Sequence, residues 1–461
     1  MTARWAVNEP TPGHRIGPRG WTTEGLLAHV ATVFAHGPAR DAWRAVFRTR
    51  LDWSASDLAA LADPWWFAFR PPGQSVARAI GCVERCPVQW IDLLPADDHG
   101  CAAAGEGFAP DPTQLAQARA WLAGLNLNTD CAVVAGFPVP TGQGARVPLC
   151  LWLPQLWLTD PDPADDDGIQ VAATVDRTLP ATDIAAALAR ALTRDHACIH
   201  PGPRAAPAGG DSVDVAGLIT RLAAPGAPRK VVAAWPQPVQ VPRPRQLWLA
   251  GLAQSRPNAW LADLRTPFAD FAAASPELLV RVHTGTVESM ALAGTLDDQG
   301  GAGPGLAVEH GEVARYIDNT LSALGIVPTS SQDWHADGPL RHRATRFFGQ
   351  KPIGVDALTL ALHLHPTPAL LGAPRHTALQ WLSAAESTAR GCYGGFAGRL
   401  RADGSGEGEC AVLLRGIERT PDGDRSWAGA GLVAASQPLA ECAEIARKHA
   451  AIWQAFGAGA A

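Results

Sequence analysis

The chain has 461 residues, a formal net charge of -6 and 47% hydrophobic residues, which is globular material enough for one large domain or two ordinary ones. Its 38 basic residues face 44 acidic ones with no long run of either sign, so the composition excludes the basic patch of a nucleic-acid binder. No apolar run approaches the roughly 20 residues of a membrane span. The opening residues lack the apolar core of a secretory signal, so a cytoplasmic protein is expected, and nine scattered cysteines read as reduced thiols.

In chain order, the first half carries weak signals. Residues 113–125 and 182–194 have helical periodicity, the second with Thr182 or Asp183 as a candidate N-cap. Residues 131–139 and 147–158 read as strands. Segments 97–111, 160–168 and 200–211 are rich in Pro, Gly and Asp and read as loops.

From about Ser212 the pattern sharpens. A helix over 212–223 leads to a strand at 230–234, and a helix near 245–253 leads to strands 278–283 and 286–291, joined at Thr284-Gly285. Helices are predicted over 308–324 and 375–390, then strands 393–400, 409–418 and 427–433, and a last helix over 438–456. Hairpins mixed with single helices predict an α+β fold: large, mostly antiparallel sheets flanked by helices. The run from Gly300 to Gly305 is Gly-rich but lacks the spacing of a phosphate or dinucleotide loop.

Several residue patterns have the makings of a site. Glu441 and Glu444 share a face of the last helix, as Glu309 and Glu312 do on an earlier one. Carboxylates converging from two helices suit Mg²⁺, a hard ion that prefers oxygen. By spacing alone they are equally well solvated helix faces. Gly429-Ala430-Gly431 lets backbone N–H groups approach an anion, or is simply a tight turn. Arg415 ends an apolar strand, where its planar fork can hold a carboxylate or reach solvent.

Taken in order, the pieces form a series. Ser275-Pro276-Glu277 precedes Leu292-Ala293-Gly294-Thr295. His365-Pro366-Thr367-Pro368-Ala369 is followed by Glu386, Arg390-Gly391, Tyr393-Gly394-Gly395 and Leu414-Arg415. Gly429 to Gly431, Glu441, Glu444 and Lys448 complete it. This series resembles the chorismate-utilising enzymes, which include isochorismate synthase, salicylate synthase and anthranilate synthase component I. The resemblance covers about 212–457. It implies one compact fold in which residues 212–461 form the catalytic half and residues 1–211 a divergent first half.

The resemblance also implies roles. Mg²⁺ would be held by Glu309 and Glu444, with Glu441 acting through water. Arg415, Tyr393 and the Gly429–Ala430–Gly431 loop would hold the enolpyruvyl carboxylate of chorismate, with Lys448 adding positive charge. Gly294, Thr295 and His342 would line the ring site.

Lys230 discriminates among family members. The chain holds only three lysines, at 230, 351 and 448. Members that add ammonia do not need a base at the first of these, whereas members that add water carry a lysine there as general base, with Glu277 as general acid. Lysine can shed its proton and arginine cannot. The expected activity is therefore Mg²⁺-dependent isochorismate synthesis, serving menaquinone or siderophore formation. Salicylate synthesis and a catalytically degenerate relative are the alternatives, and no glutamine amidotransferase partner is expected. The chain departs from the family pattern at Trp235, Ala291, Leu306 and Arg343, and in the short Gly-rich stretch before Glu309.

Overall fold

The computed structural model describes residues 44–51, 67–80, 82, 84–95, 108–141, 144–154, 156–159, 169–176, 213–242, 248–266, 269–296 and 306–460. The predicted helix over 182–194 and the Gly300–Gly305 run lie outside these residues.

Two twelve-stranded sheets organise the chain, and their described pairings are antiparallel. One sheet runs from Arg44–Leu51 to Lys230–Gln240 and Gly372–Ala373, through Trp260–Thr266, Ala269–Ser275, Gly416–Thr420 and Gly423–Leu432. The other runs from the edge strand Thr329–Asp337 through Leu340–Gln350, Thr286–Thr295, Leu278–His283, Gly408–Val412, Phe396–Arg401 and Asp130–Ala135 to Phe108–Pro110. Strands from both sides of residue 211 enter both sheets, so neither half has a sheet of its own. This is the α+β architecture expected. No described helix is long and apolar enough to cross a membrane.

The sheets pack face to face over an aromatic core that includes Phe67, Trp152, Trp157, Trp260, Phe271 and Trp427. Phe67 meets Trp152 and Trp157 edge-on, with centroids 5.6 and 6.1 Å apart, an arrangement favoured by the ring quadrupoles. Helices cover the outer faces. Helix Leu306–Ala323 buries Val313, Ile317 and Leu321, which recur at helical spacing. Helix Pro438–Phe456 starts on a proline, whose missing N–H costs nothing there, and ends at left-handed Gly457. Its bounds coincide with those predicted. Helix Pro112–Leu125 is capped by Asp111, which accepts from the backbone of Thr113 and Gln114.

Among the elements that differ from expectation, three shape the cleft. The predicted strand over 409–418 is two strands in different sheets, Gly408–Val412 and Gly416–Thr420. The crossing between them puts Arg415 at φ 53, a conformation that side-chain-bearing residues disfavour by roughly 1–2 kcal/mol. Strand Thr286–Thr295 outruns its prediction and slips register between Ala293 and Thr295, a bulge at Gly294 with φ 77. The hairpin of Thr329–Asp337 with Leu340–Gln350 was not predicted, because its edge strand is almost wholly exposed and shows no buried alternation.

One buried ion pair ties the core to the strand Lys230–Gln240. Arg390 binds Glu386 and donates to the carbonyls of Leu370 at 2.8 Å and Val232 at 2.5 Å, with its guanidinium 4.3 Å from the Phe137 ring centroid. Glu386 also accepts from the Ala234 backbone N–H at 3.0 Å. The two side chains are 1% and 9% exposed. Arg390→Leu strands a buried carboxylate and is expected to cost about 3–5 kcal/mol. Urea denaturation of parent and variant measures this directly.

Candidate active site

The sheets part at one end to form a cleft of about 560 Å³, including the open solvent at its mouth. Residues from ten separate stretches of sequence line it. Pro276 and Glu277 precede strand Leu278–His283. Gly294 and Thr295 sit at the bulge, and Glu309 on the first turn of its helix. His342 comes from the unpredicted hairpin. Tyr393 comes from the turn before strand Phe396–Arg401, Arg415 from the crossing between sheets, Gly429 and Gly431 from strand Gly423–Leu432, and Glu444 and Lys448 from the last helix.

A continuous chain of polar contacts runs along one wall. Asp337 Oδ2 accepts from Arg415 Nε at 2.7 Å, and Arg415 Nη2 lies 2.9 Å from His342 Nε2. A guanidinium only donates, so Nε2 accepts and the imidazole proton resides on Nδ1. Nδ1 then donates to Thr295 Oγ1 at 3.2 Å, leaving the Thr295 hydroxyl to donate to Glu444 Oε1 at 3.0 Å. Glu444 pairs with Lys448 at 2.5 Å, and Lys448 donates to the Gly429 carbonyl at 2.7 Å. Thr295 and His342 face each other across the strand pair because the bulge realigns the register there.

The electrostatics agree with this reading. Burial pushes His342 down to about 4, so it is neutral. For Asp337 and Glu444 burial acts upward, yet both carboxyls lie below their ordinary value. Arg415 and hydrogen bonding pull Asp337 down, and Lys448 and Thr295 do the same for Glu444.

Glu277 lines the cleft, whereas Lys230 is outside the lining, behind Gly431 and Glu309, and each has a buried polar atom with no hydrogen-bond partner among the described residues. Lys230 is fully buried, and its Nζ lies 3.2 Å from Glu309 Oε1, a charge contact without an aligned hydrogen bond. Glu277 is 1% exposed and its Oε1 has no partner. Burial pushes its carboxyl up to about 8, although the charges of Lys230 and Arg415 pull downward. At neutral pH this carboxyl keeps its proton. Buried polar atoms without partners are uncommon, and these two lie at or just behind the cleft surface.

Gly431 makes the Lys230–Glu309 contact sterically feasible. A Cβ there would stand 2.1 Å from Glu309 Oε1 and 2.7 Å from Lys230 Cε. Gly429 is equally tight, 2.6 Å from the Ala233 carbonyl. Ala430, between them, turns its methyl into the helix-side core and does not line the cleft. Tyr393 stacks on Trp427 with centroids 5.3 Å apart and lines the cleft. Glu441 is outside the lining, and burial, with help from Glu444 and Glu309, pushes it up to about 7.

Glu309 and Glu444 thus face one cleft, and both, with Glu441, interact through space. No three His, Cys, Asp or Glu side chains among the described residues close into a metal cage. Mg²⁺ is commonly held by one or two carboxylates plus water and substrate oxygens, so the donor set of Glu309 and Glu444 fits that ion chemically.

Two residues, one lining the cleft and one behind it, had no assigned role in the sequence. Arg390 stood in the motif series, and its burial is what reveals its use as a strut. Asp337 had only the adjacent Gly338-Pro339 turn as a signal. Gly338, with φ 58, takes the first loop position, the usual place of glycine in a II′ hairpin.

Two outcomes are expected. Gly431→Ala should displace Glu309 and Lys230 and destabilise the fold by about 1–3 kcal/mol, as thermal melting would register. Glu277 has a raised folded-state pKa, so the native state binds more protons than the unfolded chain between about pH 4.5 and 8. Stability therefore falls as pH rises through that window. Glu277→Gln should flatten the fall and leave the variant more stable than the parent at pH 8, as urea titrations at pH 5 and 8 would reveal.

Known proteins share part of this sequence and most of this fold. Isochorismate synthase EntC of Escherichia coli K12 is 35% identical over 213 residues, covering 42% of this chain and 54% of that protein. The salicylate biosynthesis isochorismate synthase of Pseudomonas aeruginosa is 34% identical over 222 residues, covering 44% of this chain and 45% of that protein. The chain thus spans about half the length of the curated relatives it matches. The crystal structure of MenF, the menaquinone-specific isochorismate synthase of Escherichia coli, has the same fold. Its TM-score is 0.65 at 21% identity, covering 94% of this chain and 98% of that one. The family model described as chorismate binding enzyme matches residues 215–457, the segment that carries every lining residue of the cleft, and the chain belongs to that family.

Proposed function

We propose that the protein is an isochorismate synthase, which adds water at ring C2 of chorismate as the C4 hydroxyl leaves. The observation that carries this reading is the pair of buried, unsatisfied groups at Lys230 and Glu277. Addition of water calls for a base, and loss of hydroxide calls for an acid. A buried amine and a carboxyl that keeps its proton at neutral pH meet those two needs.

In this mechanism Arg415, Tyr393 and the backbone of Gly429 and Gly431 hold the enolpyruvyl carboxylate, and Lys448 adds positive charge beside it. Gly294, Thr295 and His342 bound the ring. Glu309 and Glu444 would hold a Mg²⁺, with Glu441 acting through water, and the ion would bind the ring carboxylate and make the ring more electrophilic. Lys230 takes a proton from water as the C2–O bond forms, the ring double bond shifts, and the C4–O bond breaks. Glu277 protonates the departing hydroxyl, which leaves as water. Solvent exchange then returns a proton to Glu277 and removes one from Lys230.

The relatives support the choice of water over ammonia, since the two named above are described as isochorismate synthases. The test is NMR of the products after incubation with chorismate and Mg²⁺. Isochorismate alone is expected, and its formation should cease on chelation and resume with Mg²⁺. Salicylate with pyruvate would instead identify a salicylate synthase. Lys230→Ala should lower kcat by about 10²–10⁴-fold, the usual range for a general base. A variant as active as the parent removes Lys230 from the mechanism.

A further inference from the structure

Behind the cleft wall, against a lining arginine, lies a carboxylate for which the proposed reaction has no use. Asp337 is 5% exposed and lies directly against the arginine assigned to bind a carboxylate of the substrate. A carboxylate so placed competes with the ligand for the same guanidinium, unless the two take different edges of it.

The geometry separates the edges. A guanidinium presents two forks to carboxylates: a side edge formed by Nε and one Nη, and an end formed by the two Nη groups. Asp337 Oδ2 takes Nε at 2.7 Å, and His342 Nε2 takes a hydrogen of Nη2 at 2.9 Å. Both acceptors are on the side edge. The Nη end remains for a ligand.

We infer that Asp337 is a positioning residue for substrate recognition. It occupies the side edge of Arg415 so that the substrate carboxylate is met by the Nη end. This rests on the reading of chorismate as the ligand.

Three observations support the assignment. Arg415 has the left-handed φ of 53 at the crossing between sheets, so its backbone alone does not hold the side chain in a favoured strand orientation. Its side chain is 11% exposed, so its charge requires a nearby counter-charge, and Asp337 is the carboxylate in contact with it. Finally, the same side edge holds His342 Nε2 as an acceptor, which keeps the imidazole proton on the Thr295 side. Asp337 thereby orients the first members of the contact chain that ends on Glu444 and Lys448. Preorganising a binding group in this way strengthens binding by reducing what must be ordered when the ligand arrives.

The experiment is a double-mutant cycle on chorismate binding and turnover. Calorimetry and steady-state kinetics compare the parent, Asp337→Ala, Asp337→Asn, Arg415→Ala and the two doubles. Asp337→Ala should raise Kd and KM about tenfold, equivalent to about 1.4 kcal/mol, with kcat changed less than about threefold. Asp337→Asn retains an oxygen able to accept from Nε and should recover most of that loss. In the Arg415→Ala background neither substitution should change Kd further, because its target is gone.

Equal, additive losses in both backgrounds overturn the inference, as does an Asp337→Ala protein that binds like the parent. If Asp337→Ala does not fold by thermal melting, Asp337→Ser, whose short side chain does not reach Nε, carries the same cycle. Its loss of affinity must then appear with Arg415 present and vanish without it. A parent that binds no chorismate refutes the functional reading itself, whereas a parent that binds with additive losses refutes only the role of Asp337.

Discussion

Charge buried at the seam between two sheets has to be matched atom by atom, and much of the cleft follows from that constraint. Lys230, Lys448 and Arg415 lie with little exposure beside Glu309, Glu444 and Asp337. Desolvating any one of these alone costs several kcal/mol, so each cation lies within contact distance of an anion. Contacts that short require backbone without side chains. Glycine at 431 lets the strand approach Lys230 and Glu309, glycine at 429 lets it approach the backbone of Ala233 and Ala234, and the bulge at Gly294 swings Thr295 towards His342.

The division of labour between helices and strands follows from the same packing. Helices Leu306–Ala323 and Pro438–Phe456 deliver the acids from the outside of the sheets, while strands deliver Lys230, His342 and the sheet-crossing Arg415. Strand positions are held rigidly by their ladders, and the strand of Lys230 is further fixed by the Arg390–Glu386 pair. The proposed roles of Lys230 and Glu277 call for that rigidity, since proton transfer depends on geometry before acidity. Lys230 and Glu277 are among the buried groups left without a hydrogen-bond partner, and under the proposed function a bound ligand would complete them.

The likeness to known proteins divides unevenly along the chain, and packing explains why. Sequence similarity to the named relatives covers less than half of the chain, while likeness of fold to MenF covers 94% of it. Strands before residue 211 contribute to both sheets and to the aromatic core, but none of their residues lines the cleft. Cores tolerate extensive replacement when volume and pattern are kept. A wall of paired charges at fixed distances tolerates far less.

What the sequence determined by itself was local or ordered along the chain. The last helix was legible because a proline start, a glycine stop and an apolar stripe all lie within one stretch. The α+β class followed from alternating periods, and the cleft residues from an ordered series of motifs. Tertiary structure alone decided the rest. The break of the 409–418 strand at Arg415 depends on which sheet each end joins, and its apolar run carries no mark of that choice. Ala430 was indistinguishable from its glycine neighbours until strand pairing turned its methyl away from the cleft. Asp337 and Arg415 are 78 positions apart, and nothing local brings them together. Their contact arises from the sheet crossing and from a hairpin whose exposed edge strand has no periodicity to read. Long-range placement of charge is set by how sheets close on one another, and that information lies in the whole chain rather than in any one segment.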